Sequence, residues 1–273
     1  MMVYPFWCII SVSLTSGEAI AKYGFTVIPK EVDLAAYEYL FDNPKAILSA
    51  YGTTLLVTVV GTLIGCVTES MYAYVISRLD FPLRKLLSFI AIFVMFFNGG
   101  MAAQYIVYVS WLNLKNSIWV LIFPVAAASV MNIIIMRAYF QQLPFSIVES
   151  AKIDGASEYT IFWKLMMPLS KPAVATIFLT LFVTYWNAYY ESMMYMDSGH
   201  YTTIQLLLQR MLAQVDFMKE QAALGGAAKI LADLPDESLR MATCVLTVLP
   251  MALVFPKFQK YFVKGMAIGA VKE

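Results

Sequence analysis

Six stretches of 16 or more residues, 1–17, 46–68, 86–114, 116–136, 172–190 and 241–256, contain no Asp, Glu, Lys or Arg, and there is no seventh. A helix crossing the hydrocarbon core of a bilayer needs about 20 mostly apolar residues. The last stretch extends to Phe262, because Lys257 and Lys260 can snorkel to the interface. The first is short and begins at residue 1, so its helix is expected to want a turn or two on its N-terminal side. A signal peptide cut near Ala19-Ile20-Ala21 is the competing reading there, and it lacks the basic segment such peptides carry. Composition agrees with lipid as the main solvent: 60% of residues are hydrophobic, 14% are charged and the mean hydropathy is +0.70. An ordinary soluble domain is about 45–50% apolar and about 25% charged. The same figures exclude disorder and a disulfide scaffold, and a net charge of +1 excludes the basic surface that nucleic-acid binding needs.

The expected fold is therefore an all-α membrane protein of six transmembrane helices in a single domain, 1–273. The spans are placed at 1–17, 47–77, 86–110, 117–136, 172–190 and 239–262, with a helical loop, 137–171, between spans four and five. Positive charge in the connections sets orientation. With both termini cytoplasmic, the inner segments hold eleven Lys and Arg and the outer ones eight, while five acids lie inside, twelve outside, and Glu69 within a span. Both termini in the cytoplasm is the favoured arrangement, and loop 137–171 is then cytoplasmic.

Cys8, Cys66 and Cys244 all fall in apolar spans without metal-ligand spacing, and the lone His200 cannot complete a site, so no metal is expected. Gly61-Thr62-Leu63-Ile64-Gly65 has the small-xxx-small spacing that lets membrane helices approach closely. Asn98-Gly99-Gly100 either interrupts the third span or ends it near the outer face. Glu69 is costly inside a span, and a structural pairing accounts for it better than a transport role. The outer connections 18–45 and 191–240 carry turn signals such as Ile28-Pro29 and Leu234-Pro235-Asp236.

Loop 137–171 does not read as a loop. Val148, Ala151, Gly155, Tyr159, Phe162 and Met166 recur at spacings of 3 or 4, which is one face of a helix pair. Ser146-Ile147-Val148-Glu149 fits a capping box just after Pro144, Gly155 can end the first helix, Ser157 can cap the second, and Pro168 and Pro172 punctuate the return to the membrane. An amphipathic helix pair of this kind lies on headgroups or docks into a partner's groove. Its few, balanced charges favour docking.

Glu149-Ser150-Ala151-Lys152-Ile153-Asp154-Gly155-Ala156, followed by Leu165-Met166-Met167-Pro168, resembles the EAA loop of bacterial ABC importer permeases: Glu-Ala-Ala, three residues, Gly, nine residues, then Ile-x-Leu-Pro. Ser150, Leu165 and Met167 depart mildly from it, and the spacing from Gly155 to Pro168 fits without a gap. Ala73-Tyr74-Val75-Ile76-Ser77-Arg78 with Phe81-Pro82 and Arg84 resembles the end of the second span in the carbohydrate-uptake, maltose-permease-like branch. Phe97-Asn98-Gly99-Gly100, Tyr185-Trp186-Asn187 and the tail from Phe262 to Lys272 look like its oligosaccharide-importing members.

The resemblance implies a transport subunit of the bacterial cytoplasmic membrane that is not itself an enzyme. It implies a second homologous permease, two ATPases that use ATP and magnesium, an extracytoplasmic solute-binding protein and an oligosaccharide substrate. The chain itself would bind no cofactor, and it has no Gly-x-x-x-x-Gly-Lys-Ser/Thr loop. ATPase coupling would fall to Glu149, Ser150, Ala151, Asp154, Gly155, Leu165 and Pro168. Glu149 serves equally as the acid of the capping box, and Asp154 as a turn-maker beside Gly155. Tyr185, Trp186, Asn187, Tyr189 and Asn98 supply the aromatic faces and hydrogen-bonding groups a sugar needs, although an interfacial aromatic belt would use the same types. An importer of a non-sugar solute would carry the same loop. An ion-coupled secondary transporter would need paired ionisable residues and an internal repeat, and neither is evident.

Overall fold

The computed structural model describes residues 4–97, 99–126, 129–197, 200–225 and 236–270. Among these the chain is helical, and its β structure is an isolated antiparallel bridge between Thr15 and Val32. Two helices are long and apolar enough to cross a membrane unaided: Pro44–Ser77, and Glu237–Val254 within the longer helix Asp236–Ala270. At 1.5 Å per residue, the 34 residues of Pro44–Ser77 reach about 50 Å, well beyond a hydrocarbon core of about 30 Å.

Two of the expected spans are broken into bent pairs, and the fifth is shorter than expected. The third is split into Arg84–Phe96 and Gly100–Trp111, which meet at 120°. Gly100 sits at φ +80°, a conformation that costs a residue with a Cβ, and the second piece continues through π-helical turns over Ile106–Trp111. The helix ends at Phe96 and the chain turns at Gly99-Gly100, the geometry of a broken span or of a re-entrant loop. The fourth is split into Trp119–Ala126 and Val130–Gln142, bent by 53° after Pro124, whose ring removes a backbone donor. The fifth, Lys171–Trp186, stops four residues short of the expected boundary and meets the preceding helix Glu158–Leu169 at 85°. The first is a ten-residue helix, Tyr4–Ser13. Two spans stand by themselves, and five stand if each bent pair crosses as one.

The chain forms two compact units, Met1–Thr53 with Tyr201–Val254, and Thr54–His200 with Phe255–Glu273. The first has its own core, in which Leu40, Ile47, Ile204, Leu208, Val215 and Leu239 are buried together. Inside it the Tyr51 hydroxyl donates to the Leu246 carbonyl at 2.7 Å, and Arg240 pairs with Asp216 at 2.7 Å. Much of the connection 191–240 is ordered as the 22-residue helix Ile204–Gly225; the turn signal at Leu234-Pro235 lies outside the described residues.

The second unit has a separate core that includes Val57, Leu121, Met136, Phe140, Ile161, Ile177, Leu181 and Tyr185. Gly61 shows how closely it packs: a Cβ there would lie 2.5 to 2.8 Å from the Tyr185 ring. The small residue seats an aromatic ring. All three cysteines are free thiols, and only Cys66 is buried, whereas Cys244 is exposed.

Candidate functional site

The loop is a helix pair, as its periodicity predicts, with a different start and a different phase. Helix Phe145–Ile153 begins directly on Pro144, so Ser146 lies inside its first turn and no side chain caps it; the expected capping box does not form. Gly155 ends the helix at φ +78°, and the Ala156 amide closes back on the Ala151 carbonyl at 2.9 Å, the 6→1 bond of a Schellman-type stop. A Cβ on Gly155 would meet nothing within 4 Å, so glycine is required here for its backbone freedom and not for space. Ser157 caps the second helix, accepting from the Thr160 amide at 3.3 Å. That helix runs Glu158–Thr160, then π-helical turns Ile161–Met166, then Met167–Leu169. Pro168 does not stop it; the wider π register just before it accommodates a residue without an amide donor.

Val148, Ala151, Phe162 and Met166 are buried, as expected of the inner face. Tyr159 is not: it is 69% exposed and Ile161 takes the inner position, because the Gly155 turn and the Ser157 cap restart the helical phase. The outer face carries Glu149, Ser150 and Asp154 beside apolar Ile153, which is 85% exposed, and Trp163. Leu165 is half-buried and Pro168 exposed.

An ionic ring ties this pair to the end of helix Pro44–Ser77. Arg78 is buried, and its guanidinium grips Asp80 with two bonds, Nε to Oδ1 at 3.0 Å and Nη2 to Oδ2 at 2.7 Å. Nη2 also reaches Glu158 Oε1 at 3.5 Å. Lys152 closes the ring, with Nζ 2.8 Å from Asp80 Oδ2 and 2.9 Å from Glu158 Oε1. The Tyr74 hydroxyl donates to Glu158 Oε2 at 2.6 Å and accepts from Arg78 Nη1 at 3.2 Å. The Arg78 guanidinium holds the Asp80 carboxyl well below the usual carboxylate range, and Lys152 is raised by its bonds to Asp80 and Glu158. Partial burial opposes the charge on Glu158, but the bonds from Tyr74 and Lys152 outweigh it and its carboxyl too is held low. A second polar clasp joins Lys115 and Asn116 to Asp197: Asn116 Nδ2 donates to Asp197 Oδ2 at 2.7 Å, and Lys115 lies 3.1 Å from Oδ1.

Away from the loop, described residues of this unit line two further cavities, and Asn132 belongs to the lining of one of them. One of about 380 Å³ is lined by the polar side chains of Gln104, Ser129, Asn132, Thr184 and Glu191 together with Pro124, Val125 and Leu181. The other, about 450 Å³, is mainly apolar and includes Glu69, Tyr72, Tyr108 and Phe123. Asn132 Nδ2 donates to Glu69 Oε2 at 3.0 Å, with both residues 2% exposed. The buried acid thus has the structural pairing expected of it, with an amide as partner.

The residues proposed from sequence around 185–189 are divided by the structure. Tyr185 is buried and donates its hydroxyl to the Ile122 carbonyl at 2.7 Å, and the buried Trp186 stacks on Phe182 with the rings 5° from parallel. Asn187 and Tyr189 are exposed. Asn98 lies outside the described residues. Gln104, Ser129 and Thr184 escaped the sequence reading because single polar residues in apolar segments carry no pattern. Asp80, Lys152 and Glu158 escaped it because their pairing crosses 72 to 84 residues of chain.

A helical membrane chain with a helix pair that turns at a glycine and is tied by charges to a long span, and with a polar cavity among its other helices, defines a transport subunit. The chain belongs to the family of binding-protein-dependent transport system inner membrane components, whose model matches residues 61–268. It is 37% identical over 271 residues to the polygalacturonan/rhamnogalacturonan transport system permease protein YtcP of Bacillus subtilis (strain 168), covering 99% of this chain and 92% of that one. It is 30% identical over 240 residues to the maltodextrin transport system permease protein MalD of Streptococcus pneumoniae, covering 85% and 80%. Among solved structures, a chain of a bacterial ABC transporter involved in the import of the acidic polysaccharide alginate superposes with a TM-score of 0.78 at 29% identity, over 96% of this chain and 91% of that one.

Proposed function

We propose that this chain is the permease half of an ATP-driven importer of oligosaccharides, built as one transmembrane domain, 1–273, with six spans and both termini in the cytoplasm. Tyr4–Ser13 then counts as the first span, and Arg84–Trp111 and Trp119–Gln142 cross as bent pairs. A second homologous permease completes the pathway, two ATPases bind the cytoplasmic side and an extracytoplasmic binding protein delivers sugar. ATP and magnesium belong to the ATPases, and this chain binds no cofactor of its own.

The observation that carries the reading is the outer face of helix Phe145–Ile153. Ile153 is 85% exposed at the last turn, directly before the Gly155 hinge, on a helix whose other face is sealed by Val148 and Ala151. An apolar side chain so placed, framed by Glu149, Ser150 and Asp154, suits a groove on an ATPase better than a lipid surface. Ala151, Gly155, Leu165 and Pro168 supply the packing and turn that shape this face.

The transport path is assigned to the cavity of about 380 Å³, whose amide, hydroxyl and carboxyl groups match sugar hydroxyls. Asn187 and Tyr189 continue it beyond Thr184, with Tyr185 and Trp186 as the wall behind them and Asn98 as a further contact. The relatives that carry polygalacturonan, rhamnogalacturonan and maltodextrin in their names support a carbohydrate over another solute. ATP binding would close the ATPases, move the loop and rock the spans between inward- and outward-open states.

The test is co-purification from the native membrane of wild type and Ile153→Glu, followed by uptake of galacturonan oligosaccharides and maltotriose into vesicles. Wild type is expected to bring down an ATPase and to take up one of these probes, and Ile153→Glu to arrive without the ATPase. A wild-type chain that purifies with no ATPase would sink the reading.

A further inference from the structure

Loop 145–169 is joined by the backbone to helices Val130–Gln142 and Lys171–Trp186 only. Any movement it passes to Pro44–Ser77 must cross side chains. We infer that the ring of Arg78, Asp80, Lys152 and Glu158 is that connection: it makes the 44–77 span move with the loop, as a set of positioning residues for transport. The inference rests on the importer reading above.

Three features of the ring point to transmission of movement. First, it draws on every part that would have to move together: Arg78 and Asp80 at the end of the span, Lys152 near the end of the first loop helix, and Glu158 at the start of the second. Lys152 and Glu158 flank the Gly155 turn, so their shared contact also holds the hinge closed. Second, its centre is fixed in direction. The Arg78 guanidinium, 7% exposed, lies over the Tyr74 ring at 5.6 Å and the Phe145 ring at 5.5 Å while its fork engages Asp80 from two nitrogens. Phe145 is the first residue of the loop helix, so the cation is held between span and loop on both its flat face and its edge. The bidentate pair fixes Asp80 against Arg78, and from that fixed end charged bonds cross to the loop, Lys152 to Asp80 at 2.8 Å, Tyr74 to Glu158 at 2.6 Å and Arg78 to Glu158 at 3.5 Å; such directional bonds resist the sliding that apolar contacts such as Tyr74 against Phe162 permit. Third, the outer members are open to solvent, at 41% for Lys152, 44% for Asp80 and 54% for Glu158. Exposed ion pairs contribute little to stability, so a four-membered ring there serves geometry. Releasing the loop from the span would part Lys152 from Asp80 and Tyr74 from Glu158 and leave the buried guanidinium with Asp80 alone, which favours the closed joint while both sides move.

The test uses the assembled transporter in vesicles, with Asp80→Asn, Lys152→Met, the double variant and Lys152→Arg beside wild type. Copies of ATPase per permease, ATP hydrolysis and uptake of galacturonan oligosaccharides and maltotriose are measured on each. Asp80 lies outside the docking loop, so its variant is expected to hold the ATPase in wild-type proportion. Uptake is expected to fall about 5- to 150-fold, the span over which coupling between sites usually acts, while ATP is still hydrolysed. Lys152→Met should do the same, Lys152→Arg should restore uptake, and the double variant should fall no further than the worse single one, because both break the same link. Unchanged uptake by an assembled Asp80→Asn complex would overturn the inference. So would loss of the ATPase from that complex, since the ring would then serve docking. If wild type itself holds no ATPase or takes up neither probe, the importer reading has failed, and this inference with it.

Discussion

At the scale of single residues, two glycines are needed for opposite reasons. Gly61 is needed for space, because the Tyr185 ring occupies the position where a Cβ would stand. Gly61→Ala is expected to destabilise the protein by about 1–3 kcal/mol, the usual cost of an overpacked core, read as a lower unfolding temperature in detergent. Gly155 is needed for its φ of +78°, with open space around it. Gly155→Ala should therefore cost about 1–2 kcal/mol of turn stability, and Gly155→Asn distinctly less, since Asn tolerates the left-handed region. Loss of ATPase in the order Ala worse than Asn would support backbone conformation as the cause; the reverse order would point to size at the docking surface. Tyr185→Phe removes the bond to the Ile122 carbonyl and should cost about 0.5–1.5 kcal/mol. Uptake per folded molecule should stay at the wild-type level if Tyr185 forms the wall behind the path, and a rise in the sugar concentration needed would instead make it a direct contact.

At the scale of elements, the loop was legible where local chemistry decides and illegible where distance does. Gly155 and Ser157 announce a stop and a cap within three residues, and both act so. The capping box failed because Pro144 already supplies the helix start, which leaves Ser146 two residues past the cap position. The face was misphased at Tyr159 because a single helical period was carried across a turn that resets it. The turn in the third stretch was readable in Gly99-Gly100 and the one at Ser170 in Pro168 and Pro172, whereas the break after Pro124 lies inside an apolar run that looks continuous. The ionic ring left no trace in periodicity, since its partners are remote in sequence. Its charge states give a further expectation. Asp80 and Glu158 are held below their ordinary values, so their contribution is present above the unfolded carboxylate pKa of about 4 and is lost as pH falls through the lower folded values. Lys152 is held above its ordinary value, so its contribution is present below about 10.4 and is lost as pH rises through the folded value. The ratio of sugar uptake to ATP hydrolysis in the reconstituted complex should therefore be flat from about pH 5 to 9, where all three keep their charges. A loss of coupling between pH 6 and 7 would assign control to some other group.

At the scale of the whole molecule, topology rests on a modest excess of positive charge. In the six-span arrangement proposed above, eleven Lys and Arg fall on the side that contains loop 137–171 and eight on the other, while the acids run the opposite way. Acidic residues count for little in setting orientation, so the argument depends on where the basic residues sit. Arg78, Arg84 and Lys85 lie within eight residues, in the short connection after Pro44–Ser77 and the first turn of helix Arg84–Phe96. Short connections are where the charge bias acts most strongly. The opposite face has no such cluster: its basic residues are spread over 18–45, Lys115 and the long 191–240 segment, which is partly folded as Ile204–Gly225. A fluorescent protein fused after Glu273 should therefore glow, as it does only when folded in the cytoplasm, and a phosphatase inserted after Lys219 should be active, as it is only when exported. Replacing Arg78, Arg84 and Lys85 is a poor test of the charges, because Arg78 also holds the ring. Arg84→Gln with Lys85→Gln leaves the ring intact and should lower the fraction of correctly inserted chains without changing the coupling of those that insert. If the fusion after Glu273 is dark and active phosphatase appears there instead, the loop faces outward, and its helix pair is an extracytoplasmic surface that no cytoplasmic ATPase can reach.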